Sequence, residues 1–467
     1  MSEIILDDIQ KIFFIGIGGT SMSGLALMSQ ANGFEVSGSD MRPCGYTDKL
    51  EINNIKVYIG HDASNIPCDA DLVVYSAAIR DTNPEIQQAK KLNIPLMERS
   101  YFLGMLSKLY PDTIAISGTH GKTTTSSLVS LMLLNAKLDP SVSIGGTLEQ
   151  IGGNSRVGES RYFVIEACEF VDSFLHTSHN IGTILNIDSD HLDYFTGGIT
   201  QIEESFEKFA KIIPRYGILL ANGDDIHVKK ILPHIKSKVQ TFGIGKTNFW
   251  NASNIRYDNH GKPTYDVYRK GEYYGTFKLN IPGEHNVMNS LSVIAIGDYL
   301  RIELKIIQET FLEFNGAKRR FEFKGEEGGI KVYEDYAHHP KELQVTIDAC
   351  KNYKHNKLWV IFQPHTYSRT YYLFDEFVDA TKSADEVIFN DIYSDREDNA
   401  WNIYSEDLAS KVNEKFGIPA CVISEFEDIE NYICDNAVPG DFVLVAGSQS
   451  INQVAKGIIT KLKRRSL

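Results

Sequence analysis

The stretch Asp112-Thr-Ile-Ala-Ile-Ser-Gly-Thr-His-Gly-Lys122-Thr-Thr-Thr-Ser-Ser constrains the fold of this chain more than any other. It reads as an apolar strand, a glycine-bearing turn and the start of a helix, an order that belongs to sheets covered by helices. Gly118 and Gly121 let the backbone approach an anion closely, and the free N–H groups of the following helix point at it. Lys122 adds a full positive charge, and Thr123 supplies a hydroxyl for a magnesium ion bound to the same phosphates. Thr119, His120 and Thr124 complete the candidate cradle. The spacing departs from the common G-x-x-x-x-G-K-[ST] form, because Ile116 stands where that form has its first glycine.

At 467 residues the chain is too long for one typical core, and its length suggests about three domains. The formal charge of −14 argues against a nucleic-acid-binding surface, where a basic excess neutralises phosphates. An anionic ligand must then be held by local devices such as helix N-termini and single basic side chains. The six cysteines form neither a C-x-x-C pair nor a zinc spacing, and read as reduced, buried thiols. The N-terminus lacks the features of a signal peptide, and no apolar run reaches the roughly 18 residues that span a bilayer. These features lead us to expect a cytoplasmic protein without membrane insertion, a monomer or weak homodimer.

Short apolar runs alternate with helix-like stretches: 11–17, 71–75, 113–117, 162–166, 181–187 and 217–221. This is an α/β pattern of near-continuous apolar strands. A second series at 358–362, 386–390, 420–424 and 441–446 follows the basic junction Lys318-Arg-Arg-Phe321, suggesting a separate C-terminal α/β domain. Residues 251–280 alternate in character and look like a hairpin region. We expect domains at 1–104, 105–318 and 319–467.

The first domain opens with Gly16-Ile-Gly18-Gly19-Thr-Ser21-Met22-Ser23-Gly24 after a strand, and Ser39-Asp40 ends the next one. The glycines suit a tight turn that brings amides to a diphosphate, and Asp40 is placed to accept ribose or base hydrogen bonds. Ser21 occupies the third-glycine position of a G-x-G-x-x-G fingerprint, which favours a diphosphate ligand other than NAD.

In the middle, Glu166 ends an apolar strand and His191 follows another, within Asp188-Ser-Asp-His191-Leu-Asp. With Thr123 they form a candidate magnesium set, oxygen being the preferred donor. Asn286 and Asn289 lie three apart on one helical face, where they either read an adenine edge or cap the helix start. The last domain gathers Arg320, Asp335, His338, His339 and Arg369 near its strand ends.

These segments, in this order along nearly the whole chain, resemble the ATP-dependent Mur ligases of peptidoglycan synthesis. Within that family they look most like the branch that takes UDP-N-acetylmuramate and L-alanine. The resemblance implies a Rossmann-like sugar-nucleotide domain, a central P-loop-type ATPase domain with a mostly parallel sheet, and a C-terminal Rossmann-like domain for the amino acid. It assigns Gly18, Gly19, Ser21, Met22, Ser23, Asp40 and Ser76 to the UDP-sugar. Lys122 and Thr123 fall to the ATP phosphates and their magnesium, Asn286 and Asn289 to the adenine, Arg320 and Asp335 to ATP, Glu166 and His191 to a second metal, and His338, His339 and Arg369 to the amino-acid and acyl-phosphate site. Two departures leave glycine or serine open as acceptors: Thr366 stands where many relatives carry a second arginine, and Val445-Ala-Gly-Ser-Gln-Ser450 replaces a usual Gly-Ala-Gly-Asp.

Overall fold

The computed structural model describes residues 6–76, 78–258, 260–351, 353–394 and 397–465. Contacts divide the chain into two compact units, residues 1–187, 203–250 and 292–310 in one and 188–202, 251–291 and 311–467 in the other. No helix among the described residues is long and apolar enough to cross a membrane.

The first unit begins with strands β1 (Lys11–Ile15), β2 (Glu35–Asp40), β3 (Lys56–Ile59), β4 (Leu72–Tyr75) and β5 (Leu96–Glu98), and helices α1 (Thr20–Ala31), α2 (Gly45–Ile52), α3 (Pro84–Lys91) and α4 (Arg99–Ser107). The strands form a parallel sheet in the order β3-β2-β1-β4-β5. Phe13, Phe14 and Ile15 are fully buried, which requires cover on both faces of the sheet. The topology reverses between β1 and β4, so their carboxyl ends open the crevice where such sheets bind ligands. The first apolar run, expected to reach residue 17, stops at Ile15 because Gly16 turns to φ 79°.

The same unit holds β6 (Asp112–Ser117), α5 (Lys122–Asn135), β7 (Ser141–Leu148), β8 (Gly153–Arg156), β9 (Tyr162–Glu166), β10 (Ile181–Ile184), α6 (Gly198–Ile212), β11 (Ile218–Asn222), α7 (Ile226–Ile231) and β12 (Lys238–Gly243). Their strand order is β12-β11-β10-β6-β9-β7-β8, parallel except for the β7–β8 hairpin. Register aligns Ser117 with Ile184 and Ile116 with Glu166, so the residues that follow these positions emerge at one level. The run expected to extend to 187 leaves the sheet after Ile184, because Leu185 and Asn186 turn to brace the glycine loop.

In the second unit β13 (Trp250–Tyr257), β14 (Pro263–Arg269) and β15 (Glu272–Lys278) lie side by side, as the alternation at 251–280 indicates. Helices α8 (Glu284–Tyr299) and α9 (Leu304–Glu313) follow in the chain, their residues 292–310 counting with the first unit. The last sheet comprises β16 (Glu322–Glu327), β17 (Ile330–Asp335), β18 (Leu358–Phe362), β19 (Glu386–Phe389), β20 (Ala420–Val422) and β21 (Phe442–Ala446). Its order is β16-β17-β21-β18-β19-β20, with β16 alone antiparallel. Helices α10 (Pro340–Cys350), α11 (Tyr367–Tyr372), α12 (Phe374–Ala380), α13 (Ser405–Phe416), α14 (Phe426–Asn436) and α15 (Asn452–Arg465) cover it. Successive residues point to opposite faces: Val360, Phe362 and Leu444 pack with Leu343, Ile347 and Phe377, whereas Trp359, Ile361 and Val443 pack with Ile429, Ile433 and Val454. Each such side chain contributes about 1.5–3 kcal/mol by leaving water.

One close approach inside the first unit is open to test. Helix α4 lies so near His176 that a Cβ at Gly104 would stand 2.1 Å from the His176 carbonyl oxygen. Because the obstacle is backbone, the Gly104→Ala variant should lose about 1–3 kcal/mol of stability to overpacking, despite alanine's better helix propensity. Chemical denaturation would measure the loss, and an unchanged midpoint would contradict the packing argument.

Candidate functional site

The glycine loop after β6 is built by backbone geometry. Gly118 has φ 140°, and a Cβ there would stand 2.9 Å from the Leu185 Cβ, while Gly121 takes φ 85° to begin α5. Asn186 clamps the loop with its side chain, accepting from the His120 amide at 2.8 Å and donating to the His120 carbonyl at 3.0 Å. Its carbonyl also accepts from the Thr119 amide at 3.2 Å.

Lys122 folds back over this loop. Its ammonium donates to the carbonyls of Gly118 at 2.6 Å and Thr119 at 3.0 Å, and to the Glu169 carboxylate at 2.9 Å. Burial works against its charge, but Glu169 and Glu166 raise its pKa above the ordinary lysine value, so it stays protonated. Burial also pushes the Cys168 thiol up to about 11, as suits a packing residue, whereas Cys44 and Cys68 are exposed, against the expectation of buried thiols, because both lie in loops outside the sheet.

Thr123 donates through its hydroxyl to Glu166 Oε1 at 3.1 Å, and Gly145 donates its amide to Glu166 Oε2 at 2.8 Å. A hydroxyl and a carboxyl group at this distance form a hard-oxygen pair, the donor chemistry that magnesium takes. Thr124 is half-buried on the first turn of α5.

In the first domain the Gly18 amide donates to Asp40 Oδ2 at 2.8 Å and the Gly19 amide to the Gly16 carbonyl at 3.1 Å. These two glycines shape the turn, and the first N–H groups of α1, those of Thr20, Ser21 and Met22, precede the first intrahelical hydrogen bond. Ser23 spends its amide on the Gly19 carbonyl and its hydroxyl on the Thr20 carbonyl, and the Met22 side chain is buried. Ser76 stands across the crevice, 4.0 Å from where a Cβ on Gly16 would lie. The end of β2 is held by buried Glu85, which accepts from Ser39 and pairs with His61, both at 2.7 Å.

In the second unit the Asn286 amide donates to the Pro282 carbonyl at 2.7 Å, and Asn289 donates to Asn286 Oδ1 at 3.3 Å, confirming their shared helical face. Arg320 lies 5.1 Å from the centre of the Tyr336 ring and 4.0 Å from Glu342. Asp335 accepts from the amides of Phe321 at 2.6 Å and Ala337 at 2.7 Å. Asp190 carries Arg369, whose Nε and Nη2 reach its Oδ1 at 2.9 and 2.8 Å, while Nη1 donates to the His365 carbonyl at 2.6 Å. Burial opposes Asp190 ionisation, yet Arg369 and His191 hold its carboxyl well below the usual range. His191, at φ 53°, follows directly and has its Nε2 3.7 Å from Asp190 Oδ2.

The two adjacent histidines differ. His339 caps α10, its Nδ1 accepting from the Lys341 amide at 3.3 Å and its Nε2 meeting the Ser189 carbonyl at 3.1 Å. Both ring nitrogens are thereby engaged. His338 has its Nδ1 3.1 Å from the Tyr336 carbonyl, and burial, opposed by Glu342, brings its pKa down to about 3, so the ring is neutral at physiological pH.

Sequence reasoning did not assign Glu169, Asn186, Asp190 or Glu342. Glu169 was the most accessible of these, since it lies three residues past Glu166 at the end of an apolar strand. The other three act through side-chain reach across loops, which has no periodic signature.

The family model of the Mur ligase middle domain matches residues 116–297, that of the Mur ligase family catalytic domain 11–111, and that of the glutamate ligase domain 319–449. A curated relative from Clostridium botulinum, UDP-N-acetylmuramate–L-alanine ligase, is 47% identical over 97% of this chain and 98% of its own. A crystal structure of UDP-N-acetylmuramate–alanine ligase from Thermotoga maritima superposes with a TM-score of 0.80 and 29% identity, covering 97% of this chain and 99% of that one. A murein peptide ligase from Psychrobacter arcticus shares the fold, with a TM-score of 0.71 at 24% identity over 97% of this chain and 99% of that one.

Burial raises the Asp335 pKa from 3.8 to about 6, against the pull of Arg320 and two amides. Between these values the folded protein binds more protons than the unfolded chain, so this group's contribution to stability falls as pH rises through the window. The shift of about 2 units corresponds to up to about 3 kcal/mol. Asp335→Asn should remove that part of the stability difference between about pH 4 and pH 7. Equal differences in variant and parent, by denaturant titration at both pH values, would count against it.

Proposed function

This chain belongs to the Mur ligase family, and on that premise we propose that it joins L-alanine to the lactyl carboxylate of UDP-N-acetylmuramate, converting ATP to ADP and phosphate. The reading is supported above all by the phosphate cradle, in which Lys122, Thr123 and Glu166 converge in a relative 47% identical to a ligase of that name. We assign residues 1–104 to the sugar nucleotide, 105–318 to ATP and 319–467 to the amino acid. With ATP and a nucleotide sugar as substrates, the enzyme works in the cytoplasm.

The amides of Ser21 and Met22 at the start of α1 receive the UDP diphosphate, with Asp40 holding the Gly18 turn and Ser76 closing the crevice. Asn286 and Asn289 offer amide groups to the adenine, while Arg320 and Asp335 contact ATP. Thr123, Glu166 and His191 would hold magnesium, which when bound neutralises phosphate charge. Lys122 meets the charge that develops on the transferring phosphoryl oxygens, already fixed by Asn186 bracing the loop and by Glu169.

A carboxylate is a poor electrophile. The lactyl carboxylate therefore attacks the γ-phosphorus first, ADP leaves, and the acyl phosphate acquires a good leaving group. The alanine amine attacks the acyl carbon through a tetrahedral intermediate, and phosphate departs. Arg369 and His338 line the acceptor site: neutral His338 presents a hydrogen-bond acceptor, and Arg369 is oriented by Asp190. His339 supports this site as the cap of α10.

Phosphate release from ATP and magnesium should depend on both UDP-N-acetylmuramate and L-alanine, with glycine, L-serine and a free tripeptide as comparison acceptors. Lys122→Ala should lower turnover by about a hundredfold or more while UDP-sugar binding persists. Release that ignores the sugar nucleotide, or a fully active Lys122→Ala enzyme, would refute the assignment.

A further inference from the structure

A cavity of ≈ 300 Å³ lies in the first unit between α1, α2 and the β7–β8 hairpin, away from the phosphate loop. That volume falls at the lower end of small-molecule sites, about 300–1,000 Å³. Its walls are held in place. The Asn154 side chain donates to the Thr20 carbonyl at 2.9 Å, and Gly24 brings α1 so close to β8 that a Cβ there would stand 2.6 Å from the Ser155 Cβ.

The lining is mainly apolar but carries polar groups. Ser155, only 7% exposed, lines the cavity with its hydroxyl beside α1, 2.7 Å from where a Cβ on Gly24 would be. The Lys49 ammonium has no acidic partner among the described residues, although the chain as a whole is acidic. It lies over the hairpin turn, 3.9 Å from where a Cβ on Gly153 would be. Tyr46 adds a phenol, and the exposed thiol of Cys44 also lines the cavity.

Cys44 connects this cavity to the turn assigned to the sugar nucleotide. Its Sγ donates to the Gly18 carbonyl at 3.6 Å, and its amide donates to Thr47 Oγ1 at 2.8 Å. Thr47 Cγ2 in turn lies 2.9 Å from where a Cβ on Gly18 would be, and the Gly18 amide is held by Asp40. A shift of Cys44 therefore bears on the Gly18 carbonyl directly and on the Gly18 Cα through Thr47.

We propose that this cavity binds small anions with an apolar body, drawn by Lys49 and seated on Ser155, and that its occupant weakens sugar-nucleotide binding through Cys44 and Gly18. The second half rests on the sugar-nucleotide role given to the Gly18 turn above. A disulfide-bearing anion can report on the site covalently. The Cys44 thiolate attacks one probe sulfur, the probe S–S bond breaks as the Cys44 S–S bond forms, and the departing thiolate takes up the proton that Cys44 lost.

The test compares an anionic disulfide, dithiodiglycolate, with a cationic one, cystamine, following adducts on the intact enzyme by mass spectrometry. Cys68, the other exposed cysteine, serves as an internal reference. The ratio of Cys44 to Cys68 labelling should be about fivefold higher for the anion, the scale of one close charge near a protein surface, and Lys49→Glu should reverse the preference. The anionic adduct should raise KM for UDP-N-acetylmuramate with kcat nearly unchanged, thiol reduction should restore it, and the sugar nucleotide should slow labelling in return. Cys44→Ser should show none of these effects. A labelling ratio indifferent to probe charge in both backgrounds would overturn the site, and an adduct without effect on KM would overturn the coupling. The labelling ratio is read independently of turnover, so a failed ligase assignment would appear separately, as no alanine-dependent phosphate release by the unmodified enzyme.

Discussion

Lys122 carries a full positive charge into a place where 13% of its side chain meets solvent, and much of the middle sheet is arranged around satisfying it. An isolated buried ammonium is costly, so the site must supply acceptors before any ligand arrives. It does so with two loop carbonyls and the Glu169 carboxylate, itself 3% exposed. Those carbonyls point inward only because Gly118 and Gly121 adopt positive φ, and the loop keeps that shape because Asn186 grips it from the end of the neighbouring strand. Parallel register then brings Glu166 to the same level, where it meets Thr123.

The same logic recurs in different chemistry at the other sheets. In the first sheet a carboxylate, Asp40, spends one oxygen on a glycine amide and so fixes the turn that leads into α1. The diphosphate site proposed there would rest on backbone dipoles at a helix start, a device by which a chain of net charge −14 can hold an anion without a basic surface. In the second unit buried charges are paired: Asp190 with Arg369 of α11, and Glu334 of β17 with Arg319, whose guanidinium also donates to the carbonyls of Gly447 and Gln449. The segment 446–449, unusual against the expected family pattern, therefore does its structural work through main-chain oxygens, and the position that its shape ties to one residue is Gly447, at φ 150°, where a Cβ would stand 2.7 Å from Ile451 Cγ2.

Such pairing has consequences for how catalytic candidates are understood. His338 and His339 are neighbours in sequence and similar in composition alone, yet one is a neutral ring with an engaged Nδ1 and the other is a helix cap with both nitrogens engaged. Arg369 is oriented by a carboxylate before it meets any substrate, which limits the entropy lost on binding. Enzymes that make a reactive acyl phosphate depend on such prior placement, because groups that must reorganise at the moment of reaction leave time for water to intervene.

Much of this protein was determined by local sequence. The strand–glycine–lysine order around residue 118, the continuous apolar strands such as β1 and β18, and the i, i+3 spacing of Asn286 and Asn289 follow from periodicity and from glycine's freedom at positive φ, properties carried by a few adjacent residues. The family was legible for the same reason, since its motifs are short and contiguous. The tertiary structure alone decided which groups meet across loops: Glu169 with Lys122, Asn186 with His120, Asp190 with Arg369 and Cys44 with Gly18. It also decided that Ser23 is spent on its own helix and that the run at 181–187 leaves the sheet early. These outcomes depend on side-chain reach and on the cost of leaving a buried polar group unpaired, and that cost is set only when distant segments are brought together.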